Sequence, residues 1–262
     1  MRPRHRECRP GPNRRPPAFV LACALALPAA LAACAASAPV DRRYPDLELV
    51  RHWGTLREAL REGHTEGRVA LAEAADPRTV GIGFLPELAG EITVDGGRAW
   101  LAEVTDAASP DGLTVRGPRP GEQATVLVLS RVDAWSEDRL EAVADFAELE
   151  ELVRATARVR GFDVTRPFPF RVTGRAAELH LHVLDHSCPI AAPDGPPPWR
   201  HTGTDEPVVL VGFYAEGSGG VLTHHGERSH VHALVDGGRL AGHADGVRLE
   251  PGAVLFLPVP TP

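Results

Sequence analysis

The chain has 262 residues, 43% of them hydrophobic, enough to bury a core of domain size. Its 28 basic residues are all arginine and are outnumbered by 35 carboxylates, a net charge of −7 with neutral histidine, which argues against nucleic acid as a partner. The absence of lysine excludes Schiff-base catalysis through a lysine amine.

Residues 1–33 read as an export signal. Arg2, Arg4, Arg6, Arg9, Arg14 and Arg15 precede an apolar run from Ala18 to Ala33, which Pro28 interrupts. The run is too short to read as a transmembrane span. Leu31-Ala32-Ala33-Cys34 is similar to a bacterial lipobox, in which the cysteine becomes the diacylated first residue of the mature chain; an ordinary cleaved signal is the alternative. Residues 34–43 then form a short tether. Removing residues 1–33 takes away six arginines and one glutamate and leaves a net charge of −12. Cys8 and Cys23 fall in the signal and Cys34 is the expected lipid site. Cys188 is therefore alone in the body, and no intramolecular disulfide is possible.

The body, from Tyr44 on, opens with an amphipathic helix expected over 54–63, with Leu56, Ala59 and Leu60 on one face and Gly63 as its C-cap. A second short helix is expected to begin at Val69–Glu73. From residue 80 the pattern changes to period two. Ile92–Val94, the turn Asp95-Gly96-Gly97 and Ala99–Ala102 make a hairpin. A Pro/Gly/Asp-rich connection spans 105–122, and Val126–Ser130 is a strand. A long helix is expected from Glu137 to Arg158, with Leu140, Val143, Ala144, Ala147 and Val153 as its apolar face. Phe168–Leu184 alternates as strands. A proline-rich loop over 188–207 divides the body into lobes of 44–187 and 188–262. Val208–Tyr214, Val231–Leu234 and Ala253–Leu257 supply the last strands.

Histidines carry the chemistry. His230 and His232 are two apart, so on a strand both point to one face. His243 follows at hairpin distance, past the Asp236-Gly237-Gly238 turn. Three imidazoles so placed suit zinc or a related divalent ion with positions left open for substrate; an exposed polar strand face is the alternative. His180, His182 and His186 form a second cluster, either a rival metal site, the opposite wall of one pocket, or a solvated face. His224 and His225 read as loop or lid histidines. Glu91, at the start of the first hairpin, is a structural carboxylate or an active-site one.

Five segments in order are similar to the alpha-acetolactate decarboxylase family: Gly81-Ile82-Gly83-Phe84 with Leu88-Ala89-Gly90-Glu91 and Asp95-Gly96, Phe170–Gly174, Val211-Gly212-Phe213, His230-x-His232, and Gly242-His243. The resemblance covers nearly the whole mature length. It implies a β-rich α+β fold of two lobes, an N-terminal mixed sheet with helices and a C-terminal barrel-like β lobe carrying a metal. It implies zinc ligands at His230, His232 and His243, an active-site glutamate at Glu91, and conversion of 2-acetolactate to acetoin and CO2. Two features depart from the family pattern. His182 stands eight residues after Gly174, where the family has an arginine, and is expected to act as acid or anion contact. The sequence also ends at Pro262, soon after Leu257, where the family continues to a further acidic residue. The expected partners are a small hydroxy-keto acid and the membrane, through lipid on Cys34 of an exported envelope protein; a homodimer is compatible. The competing reading is an envelope lipoprotein that keeps the fold and metal site but binds without turnover.

Overall fold

The computed structural model describes residues 50–188 and 192–259. The expected signal, the lipobox with Cys34 and the tether lie outside these residues.

The order of elements is β1 (Val50–Trp53), α1 (Leu56–Leu60), β2 (Val69–Ala70), β3 (Thr79–Phe84), β4 (Glu91–Asp95), β5 (Arg98–Val104), β6 (Leu113–Arg116), β7 (Gln123–Ala124) and β8 (Val126–Arg131). There follow β9 (Trp135–Arg139), α2 (Phe146–Val159), β10 (Phe168–Val183), β11 (Trp199–Gly203), β12 (Glu206–Tyr214), β13 (Ser229–Val235), β14 (Leu240–Leu249) and β15 (Val254–Pro258). The fold is β-rich α+β in two lobes.

The first lobe is a six-stranded sheet in the order β1-β8-β3-β4-β5-β6. Its pairings are all antiparallel, not mixed, because short turns rather than helical crossovers join its strands. The β4–β5 hairpin closes through Gly96 and Gly97, with φ of 60° and 75°. That is the left-handed pair a two-residue hairpin turn requires.

The second lobe is built on β10, whose 16 residues pair with β11, β12, β14 and β15. Pairing of β12 with β13, β13 with β14, and β14 with β10 closes a four-stranded ring. Strand β9 joins this sheet through β15. Sheet membership therefore changes between Arg131 and Trp135, well before the loop at 188. That loop is shorter than expected, because Trp199–Gly203 forms β11 on β10.

Helix α1 is shorter than 54–63 but buries the expected Leu56, Ala59 and Leu60. Thr55 caps it, its Oγ1 accepting from the Glu58 amide at 3.1 Å. Val69–Ala70 is extended, and a single 3₁₀ turn follows at Leu71–Ala74. The long helix expected over 137–158 is corrected: Trp135–Arg139 is strand, and helix begins only at Phe146. Asp145 sets that start by accepting from the Glu148 amide at 2.8 Å. Leu140 and Val143 are buried as expected, but in an extended link, which a helical spacing of apolar residues also satisfies.

The two lobes share core. Val80, Ile82 and Val128 of the first sheet pack with Val211 and Phe213 of β12. Arg171 on β10 donates from Nε and Nη2 to Asp95 at 2.9 and 3.0 Å, tying the hairpin turn to the second sheet. Helix α2 is tied to the start of β13 through Glu150, which accepts from Ser229 Oγ at 2.6 Å and the Arg228 amide at 3.1 Å.

Candidate metal centre

Every residue of β13 is buried, including both histidines. In the ladder His232 pairs with His243 of β14, His243 pairs in turn with His182 of β10, and His182 pairs with Arg200 of β11. One rung of the barrel thus carries three imidazoles, with a guanidinium beside them on β11, outside the ring. His230 lies two residues along β13 from His232, on the same face. The ring centroids of His230, His232 and His243 are 5.0 to 5.7 Å apart.

Hydrogen bonds fix how these rings present their nitrogens. His230 Nδ1 donates to the Leu222 carbonyl at 3.1 Å, which leaves its Nε2 with a lone pair. His232 Nδ1 is paired with Thr93 Oγ1 of β4 at 3.3 Å. The two Nε2 atoms then face each other at 3.3 Å. Two imidazole nitrogens that close share one proton or one cation between them. Burial drives His230 and His243 well below the usual histidine range and His232 down to about 3, with neighbouring imidazoles adding to the effect. Neutral imidazole is the form that binds a metal.

Glu91 enters from the first lobe. It is fully buried, its Oε2 is 3.5 Å from His232 Nε2, and neither of its oxygens has a well-formed hydrogen bond. Burial raises its carboxyl well above the usual range, the Asp245 charge adds to this, and the Leu184 backbone amide opposes it. His243 Nδ1 is likewise buried without a partner. Buried polar atoms left open are costly and rare. Neutral imidazoles offer nitrogen donors that suit a divalent cation, and the buried carboxyl beside them is a group able to hold a proton.

His224 adds a fourth imidazole that its sequence position did not reveal. It comes from the connection between β12 and β13, and its ligand atom lies within 4.8 Å of those of His230 and His243. A second set, His182, His243 and Asp245, meets the same distance. Asp245 is also new: it is the extra residue where the β10–β14 register slips between His180 and Leu181. Such a bulge re-aims a side chain. Here Asp245 Oδ1 accepts from His182 Nδ1 at 2.8 Å and Oδ2 from Arg200 Nη1 at 3.0 Å.

Of the residues expected from sequence, His230, His232, His243, Glu91 and His182 lie around one centre, but the three histidines whose ligand atoms lie within 4.8 Å of one another are His224, His230 and His243, and His232 is outside that set. His180 and His186 lie apart from that centre: His180 pairs with Glu178 and Thr202, and His186 with the Glu87 carbonyl. His225 lines the cavity with His224. That cavity, of about 340 Å³, opens over the imidazoles and is lined by His182, His224, His243, Asp245 and residues of α1.

No family model and no curated protein matches the sequence. Solved structures do match by fold. A protein of unknown function from Staphylococcus aureus, described as similar to alpha-acetolactate decarboxylase, superposes with a TM-score of 0.63 at 16% identity, over 80% of this chain and 85% of that one. Alpha-acetolactate decarboxylase of Bacillus subtilis strain 168 gives 0.63 at 15% identity over 80% and 85%. The acetolactate decarboxylase of Bacillus subtilis subspecies spizizenii gives 0.62 at 16% over 80% and 86%. At these identities the fold is shared; the chemistry rests on the site.

Proposed function

We propose that the chain is a metal-dependent decarboxylase of a 2-hydroxy-3-keto acid, with 2-acetolactate to acetoin and CO2 as the reaction to test. The observation that carries this reading is Glu91. Its fully buried carboxyl, 3.5 Å from His232, meets a cluster of neutral imidazoles, within a fold shared with proteins named for that activity. His230, His232 and His243 would hold the ion, with His224 beside them. Zinc or another divalent ion supplies a Lewis acid for the charge left when CO2 departs.

The residues of the chain do the rest. Leu222 and Thr93 hold the rings of His230 and His232 in orientation. Glu91 hands a proton to the carbon that has lost CO2, which balances the reaction, since the acid must gain one proton for each CO2 released. Its buried position confines that transfer to one side of the substrate. His182, held by Asp245 at the cavity wall, contacts the substrate's polar atoms where a permanent guanidinium fork is absent. The test is metal content and acetoin formation of the purified protein beside His230→Ala/His232→Ala. About one divalent ion per chain, with acetoin formation lost together with the ion in the variant, is the expected result. A metal-free wild type would overturn the reading.

As part of the same reading we place the body outside the cytoplasm, anchored by lipid on Cys34. Incorporation of labelled fatty acid that Cys34→Ala abolishes is the expected outcome; equal labelling of both would remove the anchor.

A further inference from the structure

Arg57 of α1 and Arg61, the residue that caps its C-terminus, line the same cavity as His182, His224 and His243. Leu56, Ala59 and Leu60 are buried and seat the helix. The Leu56 and Arg57 amides donate to the Val221 and Gly220 carbonyls at 3.1 and 2.8 Å. This anchors the arginine pair to the connection that supplies His224 and the Leu222 carbonyl bonded to His230.

Most of the described arginines are committed to carboxylates, among them Arg68 to Glu58, Arg116 to Glu103 and Glu122, Arg171 to Asp95, and Arg228 to Glu150. Arg200, beside the cavity, is held by Asp245. Arg57 and Arg61 make no ion pair and no side-chain hydrogen bond among the described residues. Two free guanidinium groups at a cavity mouth are a ready site for a carboxylate, which each can grip through two parallel N–H bonds. That carboxylate is not the one that leaves. A guanidinium pair stabilises the charged ground state and would oppose its loss as CO2. The cavity also lies in the size range of sites for ligands larger than a small keto acid.

We infer that Arg57 and Arg61 anchor a second carboxylate of the substrate, so that the site takes dicarboxylic hydroxy-keto acids in preference to monocarboxylic ones such as 2-acetolactate. The reaction named here rests on the decarboxylase reading; the anchor does not.

The test is calorimetric titration of the zinc-loaded full chain with lactate and with malate, which share a 2-hydroxy-acid end and differ by one carboxylate. Wild type is expected to bind malate about 10-fold or more tighter than lactate. In Arg57→Ala/Arg61→Ala that preference disappears while lactate binding is unchanged. Arg61→Ala alone, which leaves Arg57 and its backbone contact to Gly220 in place, is expected to lose part of it and serves should the double variant not fold. Equal binding of the two acids by wild type, or a preference the variants retain, would overturn the anchor. Metal content and acetoin formation are scored separately. A malate preference in a wild type that holds no divalent ion keeps the anchor and drops the decarboxylase reading, and acetoin formation without a preference keeps that reading and drops the anchor.

Discussion

In the proposed reaction Glu91 and the histidines divide labour at the scale of single side chains. Replacing Glu91 by Gln keeps the shape and removes the transferable proton. The expected result is metal content close to wild type and a fall in turnover of about 10² to 10⁴, read as kcat at matched metal content. Unchanged turnover would take Glu91 out of the chemistry. His224→Ala is expected to weaken divalent metal binding by about 10-fold or more, while His225→Ala leaves it unaltered; competition with a chelating dye measures both. The sequence made part of this legible. A period of two put His230 and His232 on one face, and the hairpin distance brought His243 to them. His224 was hidden because its role comes from a long connection folding back over β13, which no spacing encodes. Asp245 was hidden for a different reason. On a regular ladder its partner would be fixed by register, and only the slip at His180/Leu181 turns it toward His182.

Strands decide how accurately those side chains are held. Gly90 enters β4 with φ of 151°, and a Cβ there would lie 2.0 Å from the Ala102 carbonyl oxygen. Gly90→Ala therefore has to displace the start of β4, which carries Glu91. We expect a loss of about 1 to 3 kcal/mol in urea unfolding and a fall in turnover larger than that of the neighbouring Ala89→Ser. Stability equal to wild type would show that β4 can shift without cost. The same elements show where a periodic reading fails. The hairpin at 92–102 was legible because alternation and a Gly-Gly turn agree. The stretch from Glu137 was not, since Leu140 and Val143 fit helical spacing while being buried in extended chain that bridges to Leu249. Pairing with β15, remote in sequence, outweighs the local pattern there.

At the level of the whole molecule, the buried imidazoles make stability depend on pH. The metal-free unfolded chain protonates its histidines near pH 6.5. The folded protein resists, His232 down to about 3 and His230 and His243 well below the ordinary value. Between those limits the unfolded state holds more protons, so stability is present above about pH 6.5 and is lost as pH falls. Glu91 works in the opposite sense: its raised pKa contributes stability at low pH that is lost as pH rises through the folded value. Three histidines outweigh one carboxyl. Denaturant midpoints of the metal-free protein are therefore expected to fall from pH 7.5 to 6 to 5. A flat or rising series toward pH 5 would show that these rings are protonated in the folded state.

The closed ring also has a consequence in time. β14 completes it, pairing back to β10 across some sixty residues of chain, and β15 follows on the same strand. Until Leu240–Leu249 has been made, β10 and β13 each lack a neighbour and His232 lacks its cross-strand partner. A ribosome adding about 5 to 20 residues per second thus holds a nascent chain that is unable to finish its barrel for most of its synthesis. Under the export proposed above, that delay would be the interval in which the chain can still be threaded through a narrow pore.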